Sequence, residues 1–261
     1  LLLTDQSNAL IFEDVPAEKY DAVKRYFLEL GELATEILNK VGYHDSPYRY
    51  NADNPQWCKS LTDWLRQYNE WINSPGEKTV EASNAFFDFD FVHGGAAIED
   101  TLINHIRANA LRNKKFLAYL AADALKNLPA VGFFRQFLVE SEGEYKDLFN
   151  IKSRGIEPLT DAARLLAINH DIVDVANTYA RFKKLAELEP KYAELYDDCA
   201  EAFNTLTRFR TEEGLLNNNN GNYININELS KSDKAKLKNS FQPVADLQDM
   251  IKNRFSLTYI N

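Results

Sequence analysis

Between Tyr20 and Val41 apolar residues fall three and four positions apart: Tyr20, Val23, Phe27, Leu30, Ala34, Ile37 and Val41. That is the period of a helix with one apolar stripe. Asp14-Val15-Pro16 predicts its start and Gly42 its end. Ahead of it, the short apolar run Asn8 to Phe12, centred on Ala9-Leu10-Ile11, predicts a strand after the polar step Thr4-Asp5-Gln6-Ser7. Turn formers crowd residues 43–56 and predict a loop. Trp57 to Ile72 reads as a helix with Trp57, Leu61, Trp64 and Tyr68 on one face, broken by Ser74-Pro75-Gly76. The aromatic stretch Ala85 to Val92 reads as a second strand. Strand alternation would set Phe87, Phe89 and Phe91 on one face and Asp88 and Asp90 on the other, with Gly94-Gly95 closing it.

Beyond residue 95 the helical period dominates. Ile98 to Leu111 and Phe116 to Leu128 predict two helices joined by the basic Arg112-Asn113-Lys114-Lys115. A hairpin is expected around Glu142-Gly143, and further helices over 160–169, 176–188, 190–212 and 230–254. The third of these carries Tyr192, Tyr196, Cys199, Phe203 and Leu206 on one stripe. Asn217 to Asn222 reads as a polar, mobile insertion. Strands early and helices late predict an α+β chain of two domains, 1–112 and 113–261, the second an all-α bundle.

Composition narrows the class. The 261 residues are 45% hydrophobic and 26% charged, the profile of a globular chain with a real core. A net charge of -9 makes nucleic acid a poor partner. No apolar run is long enough to span a bilayer, so no membrane partner is expected. Cys58 and Cys199 are expected as free thiols in a reducing cytoplasm, and the four histidines lack ligand spacing. The chain opens without methionine, in mid-element, and is expected to be a cut piece of a longer protein.

The candidate chemistry is acidic. Asp5 lies at the mouth of the first expected strand and Asp88 within the second. Carboxylates from adjacent strands can share a divalent metal that bridges nucleotide phosphates, although aspartates at strand ends are also common without one. Lys152, Arg154, Arg164 and Arg181 in the later half admit two readings: an anion site for phosphate or an acidic partner, or salt bridges to the chain's many carboxylates.

Collinear motifs sharpen this. Thr4-Asp5-Gln6-Ser7-Asn8-Ala9-Leu10-Ile11 is similar to the Thr-Asp-Gln-Asp-Asn-Ala-Leu-Ile motif of bacterial signal-transduction nucleotidyltransferases, which resemble PII-uridylyltransferase and often carry CBS or cyclic-nucleotide-binding domains upstream. Asn54-Pro55-Gln56-Trp57-Cys58, Phe86-Phe87-Asp88-Phe89 and Pro129-Ala130-Val131-Gly132-Phe133-Phe134 resemble later motifs of that family. So do Asn150-Ile151-Lys152, Gly155-Ile156-Glu157-Pro158, Ala163-Arg164, Asn177-Thr178 with Arg181, Asn222-Tyr223-Ile224-Asn225 and Leu229-Ser230. The resemblance runs the length of the chain. It implies a partial nucleotidyltransferase domain over 1–112 with a mixed sheet, then a helical substrate-binding domain over 113–261.

The resemblance also implies roles. Asp5 and Asp88 would be the catalytic, metal-holding carboxylates, with Mg2+ or Mn2+ as cofactor and a nucleoside triphosphate as substrate. Ser7, Lys152, Arg164 and Arg181 would face the bound nucleotide. A protein is a possible acceptor, and an upstream regulatory domain a possible partner. Departures weaken the expected catalysis. The family's second metal aspartate is Ser7 here, a neutral and poorer ligand. Its Gly-Gly before Asn-Pro is Tyr48-Arg49, its strand arginine is Asp90, and its Gly-Asp is Gly94-Gly95. Its triphosphate-gripping Gly-Ser turn would lie upstream of Leu1. The expectation is an impaired nucleotidyltransferase, or a pseudoenzyme that senses nucleotide or binds a partner.

Overall fold

A computed structural model describes residues 4–76, 80, 82, 85–127, 136–173 and 175–255. The chain is α+β. Its first ninety-odd residues hold the short strands β1 (Thr4–Gln6), β2 (Leu10–Phe12), β3 (Tyr43–Asp45) and β4 (Cys58–Ser60), with helices α1 (Ala17–Lys40) and α2 (Leu61–Asn73). β1 pairs parallel with β3 and β2 parallel with β4, so α1 is the crossover of a strand–helix–strand unit. The mixed sheet expected here is two parallel pairs, not one sheet.

Helices follow: α3 (Ala96–Ala110), α4 (Lys114–Ala124), α5 (Glu157–Asn169), α6 (Thr178–Leu188), α7 (Ala193–Asn217), α8 (Lys231–Asn239) and α9 (Phe241–Arg254). Side-chain caps start several of them. Ser60 accepts from the Asp63 N–H, Asn113 from Phe116, Asn177 from Ala180 and Ser230 from Asp233. Each satisfies one of the N–H groups that a helix start leaves unpaired. A small antiparallel pair, β5 (Phe149–Asn150) with β6 (Tyr223–Ile224), closes one end of the bundle.

Several sequence expectations change. Trp57 to Ile72 is not one helix: Trp57 precedes β4, and the helix begins only after Ser60. Residues 43–56 contain β3. The stretch 230–254 is two helices, broken at Ser240. Ala85 to Val92 is not a strand. Ala85 and Phe86 are helical, and 87–92 is bent and irregular. Phe86 turns into an aromatic cluster, its ring 4.4 Å from that of Trp57, and its carbonyl accepts from the Tyr68 hydroxyl. Packing of single rings therefore overrides the two-residue alternation. The motif from Pro129 to Phe134 lies outside the described residues.

The apolar stripe read on α1 is only partly a core face. Leu30, Ile37 and Val41 are exposed, while Gly31 and Thr35 are buried. Strands of three residues give a 24-residue helix little surface to cover. Gly31 marks the closest approach: a Cβ there would stand 2.4 Å from the Ala52 carbonyl oxygen. Asn217 to Asn222, read as a mobile insertion, is a hydrogen-bonded turn. Arg210 Nε donates to the Asn220 carbonyl and the Asn222 side chain. Gly221, at φ +66, passes so near the Arg210 carbonyl that any Cβ would overlap it. The hairpin expected around Glu142-Gly143 is instead a turn-rich loop without strands, closed by Glu140 N–H to the Leu148 carbonyl and Asp147 N–H to the Glu140 carbonyl, both 2.9 Å.

The expected boundary at 112/113 falls in the turn between α3 and α4. One apolar core crosses it, from Trp57, Trp64 and Trp71 through Phe116 to Leu159, Phe182, Leu206 and Leu247. Both cysteines are free and buried. Among the described residues, no helix is long and apolar enough to cross a membrane.

Candidate functional site

The motif at the first strand divides by strand alternation. Gln6 points inward and is buried; Asp5 and Ser7 on either side are exposed. Gln6 Nε2 donates to Asn39 Oδ1 at 3.1 Å and to the Thr35 carbonyl at 3.3 Å, tying β1 to α1. Its Oε1 accepts from Asn8 Nδ2 at 2.9 Å. Asn8 Oδ1 in turn accepts from the Ala52 N–H at 2.7 Å, and the Asn8 N–H donates to the Tyr50 carbonyl. Gln6 and Asn8 thus hold the loop of residues 46–57 beside β1. The sequence reading missed this role. Its signal was there in part: polar Gln6 and Asn8 stand two positions apart ahead of an apolar run, and a polar side chain must be paired when buried.

The same loop is built from its own motif. Asn54 Oδ1 accepts from the Gln56 N–H, and both Asn54 Nδ2 and Trp57 Nε1 donate to the Arg49 carbonyl. Arg49 itself sits at φ +58, a conformation that favours glycine. Trp64 Nε1 reaches across to the Leu10 carbonyl at 3.1 Å. These indoles bury their rings and still place each N–H on an acceptor.

Asp88 lies in a different setting. Its Oδ1 accepts from Arg181 Nη2 at 2.5 Å, and its Oδ2 accepts from Arg164 Nη2 and Nε at 3.1 and 3.2 Å. Arg164 comes from α5 and Arg181 from α6. The Asp88 side chain is 14% exposed, Arg164 14% and Arg181 8%. Burial by itself would raise the Asp88 pKa, but the Arg181 hydrogen bond and the charges of both guanidiniums outweigh it and hold the carboxyl below its ordinary value. Arg181 Nε also donates to the Val175 carbonyl at 2.7 Å. The Asn177 cap and this arginine together form the start of α6.

Further charges extend the cluster. Arg164 Nη1 meets Asp161 Oδ1 at 3.1 Å. Burial, opposed by Arg164 and reinforced by the charges of Asp123 and Glu157, lifts the Asp161 pKa to about 6. Glu157 also lies 3.6 Å from Lys152 Nζ, and its charge acts on Arg210. Burial lowers the Arg210 pKa, while Asp5 and Glu157 act to raise it. The contacts that are direct are Lys152 with Glu157, and a seam that runs from Asp161 through Arg164 and Asp88 to Arg181.

The structure brings Asp88, Arg164 and Arg181 into direct contact. Lys152 pairs with Glu157 instead, and no hydrogen bond links Ser7 to these groups among the described residues. As placed, Asp5 and Asp88 do not fit a shared divalent cation: both oxygens of Asp88 receive guanidinium N–H donors, and a cation entering there would meet two positive charges. Among the described residues no group of three or more His, Cys, Asp or Glu side chains could hold a metal ion.

This arrangement is that of an α+β segment and a helical segment that share one apolar core and the Asp88 ion cluster. The chain matches the family model described as "Putative nucleotidyltransferase DUF294" over residues 1–78. It matches the model described as "Putative nucleotidyltransferase substrate binding domain" over residues 114–255. The chain belongs to this nucleotidyltransferase family and carries its substrate-binding domain. No curated protein matches it, and no solved structure does.

Proposed function

We propose that the chain works in nucleotidyl transfer from a nucleoside triphosphate to a protein or small-molecule acceptor, in the manner of PII-uridylyltransferase, and transfers poorly as it stands. One observation carries the reading. Asp88, the position that the family resemblance makes catalytic, is clasped by Arg164 and Arg181. A carboxylate in that state is a structural anion. Its exchange for a metal would leave two buried guanidiniums facing a cation, which is costly. Ser7, neutral where the resemblance implies an aspartate, points the same way. Asp5 is then the carboxylate left to meet magnesium or manganese. A bacterial signalling setting with an upstream regulatory domain follows from the motif resemblance.

A second reading, a pseudoenzyme that senses nucleotide or binds a partner through the same fold, is favoured by the same clasp. Thermal-shift titration with ATP, UTP, GTP and CTP, each with and without magnesium or manganese, tests both. A ligand that binds only the folded state raises the melting temperature with its concentration. The expected result is no rise that depends on metal. A metal-dependent rise for one nucleotide, together with transfer of its label to an acceptor, would overturn the impaired state.

A further inference from the structure

A pocket of about 90 Å3 opens where the segment after Phe86 meets α3, α5 and the approach to α6. That is room for a handful of waters or a small organic molecule. Phe87, Phe89, Ile103, Ile106, Ile168 and Val175 make its walls apolar. Two arginines also line it. Arg107 is engaged with Asp171 through two hydrogen bonds, Nε to Oδ1 at 2.6 Å and Nη2 to Oδ2 at 2.5 Å. Arg181 is not fully engaged. Its Nε and Nη2 have acceptors, but its Nη1 is buried without a hydrogen-bond partner among the described residues. The Arg181 side chain is 8% exposed.

An unpaired guanidinium donor is rarely left in an apolar wall, because burying an unmatched polar group is costly. Arg164 and Arg181 share the carboxylate of Asp88, and Arg164 also meets Asp161.

We propose that this pocket binds a small carboxylate with an apolar body, the carboxylate accepting from Arg181 Nη1 and the body lying against Phe87, Phe89, Ile103 and Ile106. The proposal needs neither nucleotide nor metal and stands apart from the transfer reading. The mouth carries Val173 and Ala176, both exposed; Arg181 Nη1 is closed to solvent as placed, so the proposal requires a side-chain movement that uncovers it.

The test is a thermal-shift and calorimetric titration of the chain with hexanoate and benzoate, against hexanol, benzyl alcohol and inorganic phosphate. The carboxylates should bind at least tenfold more tightly than the alcohols, as expected for one charge-assisted hydrogen bond. Arg181→Lys should remove most of that preference. Ala176→Trp, at an exposed position, should block the mouth and abolish binding without disturbing the fold, which keeps the test decisive where the arginine variant is too unstable to read. Equal binding of alcohols would overturn the role of Arg181. Binding of phosphate alone, no binding of either carboxylate, or full binding by Ala176→Trp would overturn the site.

Discussion

Asp5 and Asp88 are both aspartates beside phenylalanine- or leucine-rich segments, and motif resemblance makes them equivalent. The fold makes them opposites. Asp5 stands exposed on β1, on the outward side of a strand whose inward neighbour, Gln6, does the structural bonding. Asp88 is drawn into the seam between the two halves and holds Arg164 and Arg181. The difference teaches that an acidic side chain's role follows from what the rest of the chain brings to it. An aspartate within reach of two buried guanidiniums becomes their counterion. One facing water keeps its chemistry open.

The largest test of that contrast is removal of each carboxylate. Asp88→Ala leaves two mostly buried guanidiniums without their shared partner, and breaking a buried ion pair in this way costs roughly 3–5 kcal/mol. Asp5→Ala, at an exposed position, should change stability by no more than about 0.5 kcal/mol. Urea denaturation of both variants measures the gap. Equal effects would break the comparison.

The next test is pH. Asp161 has a folded pKa raised to about 6, above its unfolded value, so the folded chain binds a proton that the unfolded chain releases. Its contribution to stability is therefore greatest below the unfolded value and declines as pH rises through about 6. Asp88 has the opposite sign: its contribution is full above the ordinary carboxylate range and fades only as pH falls below it. Asp161→Asn should flatten the slope of stability between about pH 4 and pH 6 and stabilise the chain at pH 7 by on the order of 2 kcal/mol. A slope unchanged by the substitution would place the titration elsewhere.

The smallest effect is expected at the position beside Asp5. Ser7→Asp restores the acidic residue that the resemblance implies, on an exposed strand position. It should alter stability by less than about 0.5 kcal/mol and produce no nucleotidyl transfer, because Asp88 remains clasped. Clear incorporation of labelled nucleotide by this variant would show that the clasp opens in use.

Several features were legible in the chain itself. The helical periods located α3 to α7 to within a few residues, because side-chain repetition every three to four positions is imposed by helix geometry alone. Caps such as Asn177 and Ser230 are local too, each bonding to an N–H three residues on. The collinear motifs placed the chain in its nucleotidyltransferase family. The residue types of the site were also visible: two aspartates, and arginines at 164 and 181.

Other features belong to the tertiary structure. Phe87 to Phe91 alternates like a strand, yet the rings of Trp57, Trp71 and Phe116 pull Phe86 and Phe87 into an aromatic cluster. The partner of Asp88 lies 93 residues away at Arg181, a separation at which sequence pattern carries no distance. Burial depends on what covers a residue, so the apolar stripe of α1 could be read along the chain while its exposure at Leu30, Ile37 and Val41 could not. Local chemistry is written residue by residue. Charge partners, burial and the unused donor of Arg181 exist only once distant segments meet, because electrostatic and packing energies depend on distance through space and not along the chain.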